Sequence, residues 1–248
     1  LIDVFLYSKG SGYNASGQTL EGIMRSTDGG AHWSPPIQVA DNQIVNDVDP
    51  NNGVPLRTGA DVRGGIPDIA VDPHNGKLYV VFEDSRFSGN HNDIAMATSS
   101  DGGKTWTAPV KVNPTPRSVL AFTPSVDVLP DGTVGVSYYD IRNDPGLANS
   151  LLTDYFIAVS HDGGSSWAEA RITPTSFDYT FAPNARGYFL GDYQGLANDG
   201  SNFKAFFVTT NSDVNASSPV ATPQQVPLPT GVTGFGAVTA GEQHSCAI

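Results

Sequence analysis

STDGGAHW at residues 26–33 returns as SSDGGKTW at 99–106 and as SHDGGSSW at 160–167, at spacings of 73 and 61 residues. Each octet reads Ser-x-Asp-Gly-Gly-x-x-Trp, and together they hold all three tryptophans. One loop design used three times means that one supersecondary unit repeats along the chain. The paired glycines accept positive φ without a Cβ clash, which a tight turn requires. Asp28, Asp101 and Asp162 are placed to accept backbone N–H groups inside that turn, and the preceding serine hydroxyl to satisfy another. The closing indole returns to the core, where its burial against a neighbouring sheet stabilises the unit by ~2–3 kcal/mol.

Sequence on either side of each octet reads as strands. PDIAVDPHNGKLYVVFEDSR, residues 67–86, parallels PSVDVLPDGTVGVSYYDIR, residues 124–142. In both, two strands meet at a turn tripeptide, HNG or PDG, and alternation through Leu78, Val80 and Phe82, or Val134, Val136 and Tyr138, predicts one buried face. DIAMATS and DYFIAVS run into an octet as third strands; APVKV and AEARI emerge as fourth strands. The same template on residues 1–40 lacks its opening strand, and past Arg186 only a first and a second strand match.

The octets resemble Asp-boxes, the bacterial neuraminidase repeats (BNR) of sialidase-type β-propellers. The resemblance implies an all-β, sialidase-like propeller of four-stranded antiparallel blades, two complete and two partial here, near residues 1–40, 62–114, 118–175 and 186–222. It also implies that Ser26, Asp28, Gly30 and Trp33, Ser99, Asp101, Gly103 and Trp106, and Ser160, Asp162, Gly164 and Trp167 serve the fold, away from the active centre. The segment from Val226 to Ile248 breaks the pattern and resembles the start of an RCC1-like repeat, in which Cys246 would pair with a cysteine beyond the chain.

Composition bounds the function. With 25 acidic against 13 basic residues the formal charge is −12, which opposes nucleic acid and anionic membrane surfaces. No apolar run approaches the ~20 residues of a membrane-spanning helix. The chain opens inside an apolar strand without an initiator methionine, so an upstream portion is expected. Scarce lysine and a single cysteine fit a secreted or cell-surface bacterial protein.

Resemblance to sialidases also assigns roles. A forked guanidinium matches a carboxylate and stays charged, so Arg63 in VRGGIPDIAV, Arg86 in VVFEDSR and Arg186 become candidate binders of a substrate carboxylate. Tyr193 in GDYQGLANDG stands where the family's nucleophilic tyrosine does, an exception among glycosidases. Four features run against catalysis: the loop after Arg86 reads FSGNHN, without the family's acidic residue; no carboxylate has the setting needed beside Tyr193; Asp84-Ser85-Arg86 recurs as Asp140-Ile141-Arg142, which favours a repeated ion pair; and a blade precedes Arg63. Two functions therefore stand: an exo-sialidase-type glycoside hydrolase, or a non-catalytic propeller binding glycan or protein through aromatics such as Tyr138, Tyr139, Phe189 and Tyr193. Neither calls for a cofactor or a metal, although DVDPNNG, residues 47–53, offers alternating oxygens in the manner of an imperfect calcium loop.

Overall fold

The computed structural model describes residues 1–9, 18–56, 66–116, 119–192 and 194–210. The predicted RCC1-like segment and Cys246 lie outside them. Three strands form the first blade, β1 (Ile2–Lys9), β2 (Gln18–Arg25) and β3 (Ile37–Asp41). The second holds β4 (Asp68–Val71), β5 (Leu78–Asp84), β6 (Asp93–Ser99) and β7 (Val110–Lys111), and the third β8 (Ala121–Val128), β9 (Val134–Asp140), β10 (Leu152–Ser160) and β11 (Ala168–Arg171). A short β12 (Phe177–Asp178) adds to β10, and β13 (Gly195–Asn198) with β14 (Phe203–Phe206) begins a fourth blade. Pairing is antiparallel in sequence order, so the described residues form the expected all-β succession of antiparallel blades, the second and third with four strands on their main path. Its single helical element among the described residues is a 3-10 turn at Tyr179–Phe181.

Alternation predicted one buried face for the second strands, but β5 and β9 are buried at every residue. The reason is that blades two and three each lie between two others. Val80 and Phe82 join Ile23, Val39 and Ala95 in a layer between blades one and two, while Tyr79 and Val81 turn the other way and join Val126, Val136 and Tyr138 between blades two and three. A third layer, with Tyr139, Tyr155, Phe122 and Phe207, lies between blades three and four. Burying side chains of this size contributes ~2–3 kcal/mol each, so the layers hold the array together.

The boxes have the expected turn. In all three the serine hydroxyl accepts the N–H of the second glycine, at 2.8, 2.9 and 2.8 Å, and donates to the aspartate. The aspartate accepts backbone N–H groups from the end of the turn, His32 in the first box, Lys104 and Thr105 in the second, Ser165 and Ser166 in the third. These bonds, with side-chain bonds from the same turn, pull the Asp28 carboxyl down to about 2 and hold Asp101 and Asp162 lower still. The second and third boxes also lean on the preceding blade: a Cβ on Gly103 would stand 2.6 Å from Ile23 of β2, and one on Gly164 would run into Met96 of β6. Trp106 and Trp167 pack on the same two layers, whereas Trp33 is 41% exposed.

Antiparallel order gives the array two ends. Links from first to second strand and the boxes fall at one end; links from second to third strand and from blade to blade fall at the other, called the mouth here.

Gly103→Ala is expected to lower stability by about 3 kcal/mol, combining the cost of an L-residue at positive φ with overpacking against Ile23. Gly29 has φ +74° but nothing within 4 Å of the added Cβ, so Gly29→Ala should cost only about 1 kcal/mol. Denaturant midpoints of the two variants measure the difference.

Candidate functional site

Three loops knot together at the mouth. The β3–β4 connection crosses the head of blade two, where Gln43 O accepts the Ser85 N–H at 2.6 Å, and folds into a small hairpin from Asp47 to Leu56. The hairpin reaches blade three through Asn51, which donates to Asp144 Oδ2 at 2.9 Å and to Ser150 O at 3.1 Å. Its other side meets the β11–β13 connection, where Tyr188 N donates to Pro55 O at 3.0 Å and Leu56 bridges Tyr188. Tyr179 N and Leu151 N close the third contact by donating to Leu151 O and Asp178 Oδ1, at 2.9 and 3.0 Å.

Of the predicted site residues, Arg63 and Tyr193 lie outside the described residues. Arg86 donates through Nε and Nη2 to the two oxygens of buried Asp84, each at 2.8 Å, and through Nη2 to Asp41 O at 2.5 Å. The hydrogen bonds it donates to Asp84 raise the Arg86 pKa further. Blade three repeats the arrangement with Arg142 on Asp140. A second repeat sits beside it, buried Asp93 with Lys111 at 2.7 Å and buried Asp154 with Arg171 at 2.6 Å.

Arg186 differs. Its backbone is left-handed at φ +71°, secured by Asn184 Oδ1, which accepts the N–H groups of Arg186 and Gly187. Gly187 presses so close to the Pro55 carbonyl that a Cβ would collide with it. The residue is exposed, and among the described residues its guanidinium has no hydrogen bond or ion pair. Among the described residues Thr123 is the other non-glycine residue at positive φ, at +51°, where the β8–β9 register shifts. Its N–H donates at 2.7 Å to Glu83 Oε1, a wholly buried carboxylate whose charge helps raise the Tyr179 hydroxyl pKa. Strained backbone of this kind gathers at functional sites, and both instances fall at the mouth.

Two buried acids complete the site. Burial pushes Glu21 up to about 8, opposed by an Asn42 amide donating at 2.5 Å and reinforced by the charges of Asp84 and Glu83. Asp47 is pushed up to about 7, again by burial, with the Asn92 amide opposing and Asp93 reinforcing. Sequence reading weighed Asp47 only as a calcium ligand and gave Glu21 no setting. A signal for Glu21 was present: the outer strands VKV and ARI carry a cation for the acids of blades two and three, whereas IQV carries none. Within the hairpin Asp49 Oδ1 accepts the Asn51 N–H and Asn52 Oδ1 the Val54 N–H, while Asp47 Oδ2 accepts from Asn92 and Asp49 Oδ2 is buried without a hydrogen-bond partner among the described residues. The expected aromatic platform is corrected too. Tyr138 and Tyr139 are buried between blades, their hydroxyls bonded to Glu169 and Val208.

Residues 22–242 match a family model described as the BNR repeat-like domain. No curated protein matches the chain. Among solved structures the chain is similar to the Hadza microbial sialidase Hz136, at 18% identity and TM-score 0.45, covering 76% of this chain and 38% of that one. It is also similar to the GH93 α-L-arabinofuranosidase of Fusarium graminearum with arabinobiose, at 16% identity and TM-score 0.45, over 80% and 51% of the two chains. A third likeness is to the Penicillium chrysogenum α-L-arabinanase complexed with arabinobiose, at 16% identity and TM-score 0.48, over 87% and 58%. The chain spans less than two thirds of the length of each.

Acids whose folded pKa is raised favour the native state below their unfolded pKa, near 4, and lose that contribution as pH rises through the folded value. The box aspartates work in the opposite sense but below pH 4. Between pH 5 and 8 the melting temperature should therefore fall by about 5 °C or more, and Glu21→Gln should remove much of that slope. A pH series of thermal melts on both proteins checks it.

Proposed function

The chain belongs to the BNR repeat-like domain family, and on that footing we propose that it is a propeller acting on glycans, with exo-sialidase-type glycoside hydrolysis as its reaction. The observation that carries this reading is Arg186, an exposed guanidinium on a left-handed backbone at the mouth. In a chain of net charge −12 a cation without an ion pair among the described residues is a local exception, and screening over ~8 Å lets it act within its own loop. Its fork suits a carboxylate bound to a sugar. Arg63 completes the carboxylate grip and Tyr193 attacks the anomeric carbon, both on the strength of the resemblance in VRGGIPDIAV and GDYQGLANDG.

A second reading, a propeller that binds glycan without cleaving it, draws support from Arg86. Its guanidinium is committed to Asp84 and Asp41, which leaves the carboxylate grip one arginine short.

Release of sialic acid from a fluorogenic sialoside by the complete protein, with a neutral arabinoside as comparison, tests the proposal. Cleavage of the anionic substrate is expected, with Arg186→Ala raising KM at least ~10-fold and Tyr193→Phe abolishing turnover. Full activity in Tyr193→Phe would refute the nucleophile. Binding to a sialoglycan without cleavage would favour the second reading.

A further inference from the structure

Glycoside cleavage needs a proton for the departing oxygen, given by a carboxyl group that stays protonated near neutral pH. The loop between Arg86 and Asp93 holds no carboxyl group, and its last residue is the amide Asn92. Asn92 instead grips another loop. Its Nδ2 donates to Asp47 Oδ2 at 2.6 Å and to Val45 O at 2.7 Å, while its Oδ1 accepts the Val45 N–H at 3.1 Å. These bonds fasten the β3–β4 connection to the head of β6. The carboxyl group held there stands at the root of the hairpin whose Pro55 and Leu56 pair with Tyr188, two residues from Arg186.

Burial raises Glu21 to about 8 and Asp47 to about 7, and their places in the fold separate them. Glu21 lies within β2, fully buried and bonded to Asn42, in the blade whose neighbour carries Asp84 and Glu83. Asp47 is on a mouth connection, 3% exposed, joined to the loops that carry Arg186. The charged group acting on Asp47 is Asp93, which is itself paired with Lys111 at 2.7 Å.

Resting on the glycoside-hydrolase reading above, we propose that Asp47 is the general acid of this propeller and that Asn92 is its positioning residue. Asp47 gives its proton to the glycosidic oxygen as the bond from that oxygen to the anomeric carbon breaks. The electron pair of that bond leaves with the oxygen, which departs as a neutral alcohol. Water then adds its oxygen to the anomeric carbon as the bond from that carbon to the Tyr193 oxygen breaks, the electron pair of that bond returning to Tyr193 as phenolate, and gives a proton to the Asp47 carboxylate, restoring the starting state.

The test compares two sialosides on the complete protein, a 4-methylumbelliferyl sialoside with a weakly basic leaving group and sialyllactose with a strongly basic one. Asp47→Asn should lower kcat/KM for sialyllactose by ~100-fold or more while leaving the aryl sialoside within about tenfold, and should erase the alkaline limb of the pH profile. Asn92→Ala should move that limb to higher pH, because hydrogen bonds favouring the carboxylate are lost. The ratio between two substrates on one preparation is insensitive to loss of folded protein. Equal losses on both substrates, or none, in an active enzyme would overturn the role of Asp47 and leave the hydrolase reading standing. A wild-type protein that cleaves neither substrate would overturn both.

Discussion

The fold depends on the seating of one blade's box loop against the strand next door. A serine hydroxyl and an aspartate carboxylate consume the loop's free N–H groups, which lets two successive glycines turn left-handed. That turn is thin enough for Gly103 to sit on Ile23 and Gly164 on Met96. A side chain there would meet the end of Ile23 or of Met96 in the neighbouring blade, which would have to shift within its layer. Because β5 and β9 are buried on both faces, a blade has no stable surface of its own, and stability belongs to the interfaces.

This construction divides the molecule chemically. In the boxes the aspartates Asp28, Asp101 and Asp162 are bonded and hold their protons weakly. At the mouth some are matched, Asp84 with Arg86 and Asp93 with Lys111. Others are not: Glu21 and Asp47 are buried against amides rather than cations, which is costly unless the proton stays on. The strained backbones of Thr123 and Arg186 fall at the same end. Repetition accounts for the ion pairs, and the departures from repetition mark where chemistry is expected.

Much of the fold was legible because it is written locally. The octets, the HNG and PDG turns and the strands DIAMATS and DYFIAVS depend on neighbours within a few residues, and β6 begins and ends where the pattern predicted. Burial on both faces of β5 was not legible, since alternation cannot register a second sheet. The recurrence of Asp84-Arg86 as Asp140-Arg142 was read from sequence as an ion pair and is found as one. What escaped were contacts between distant segments. Asp47 meets Asn92 across 45 residues, and Thr123 meets Glu83 across 40. Tyr138, which alternation also placed on a buried face, and Tyr139 were offered as glycan platforms, and both lie inside the array with their hydroxyls satisfied.

Placing the chemistry at the mouth and the architecture at the boxes is most directly tested by a crystal structure of the complete protein with N-acetylneuraminic acid bound. The sugar is expected at the mouth, its carboxylate within ~2.7–2.9 Å of the Arg186 guanidinium. A sugar seated on the Asp-box loops, or one at the mouth with Arg186 turned away from it, would contradict that division.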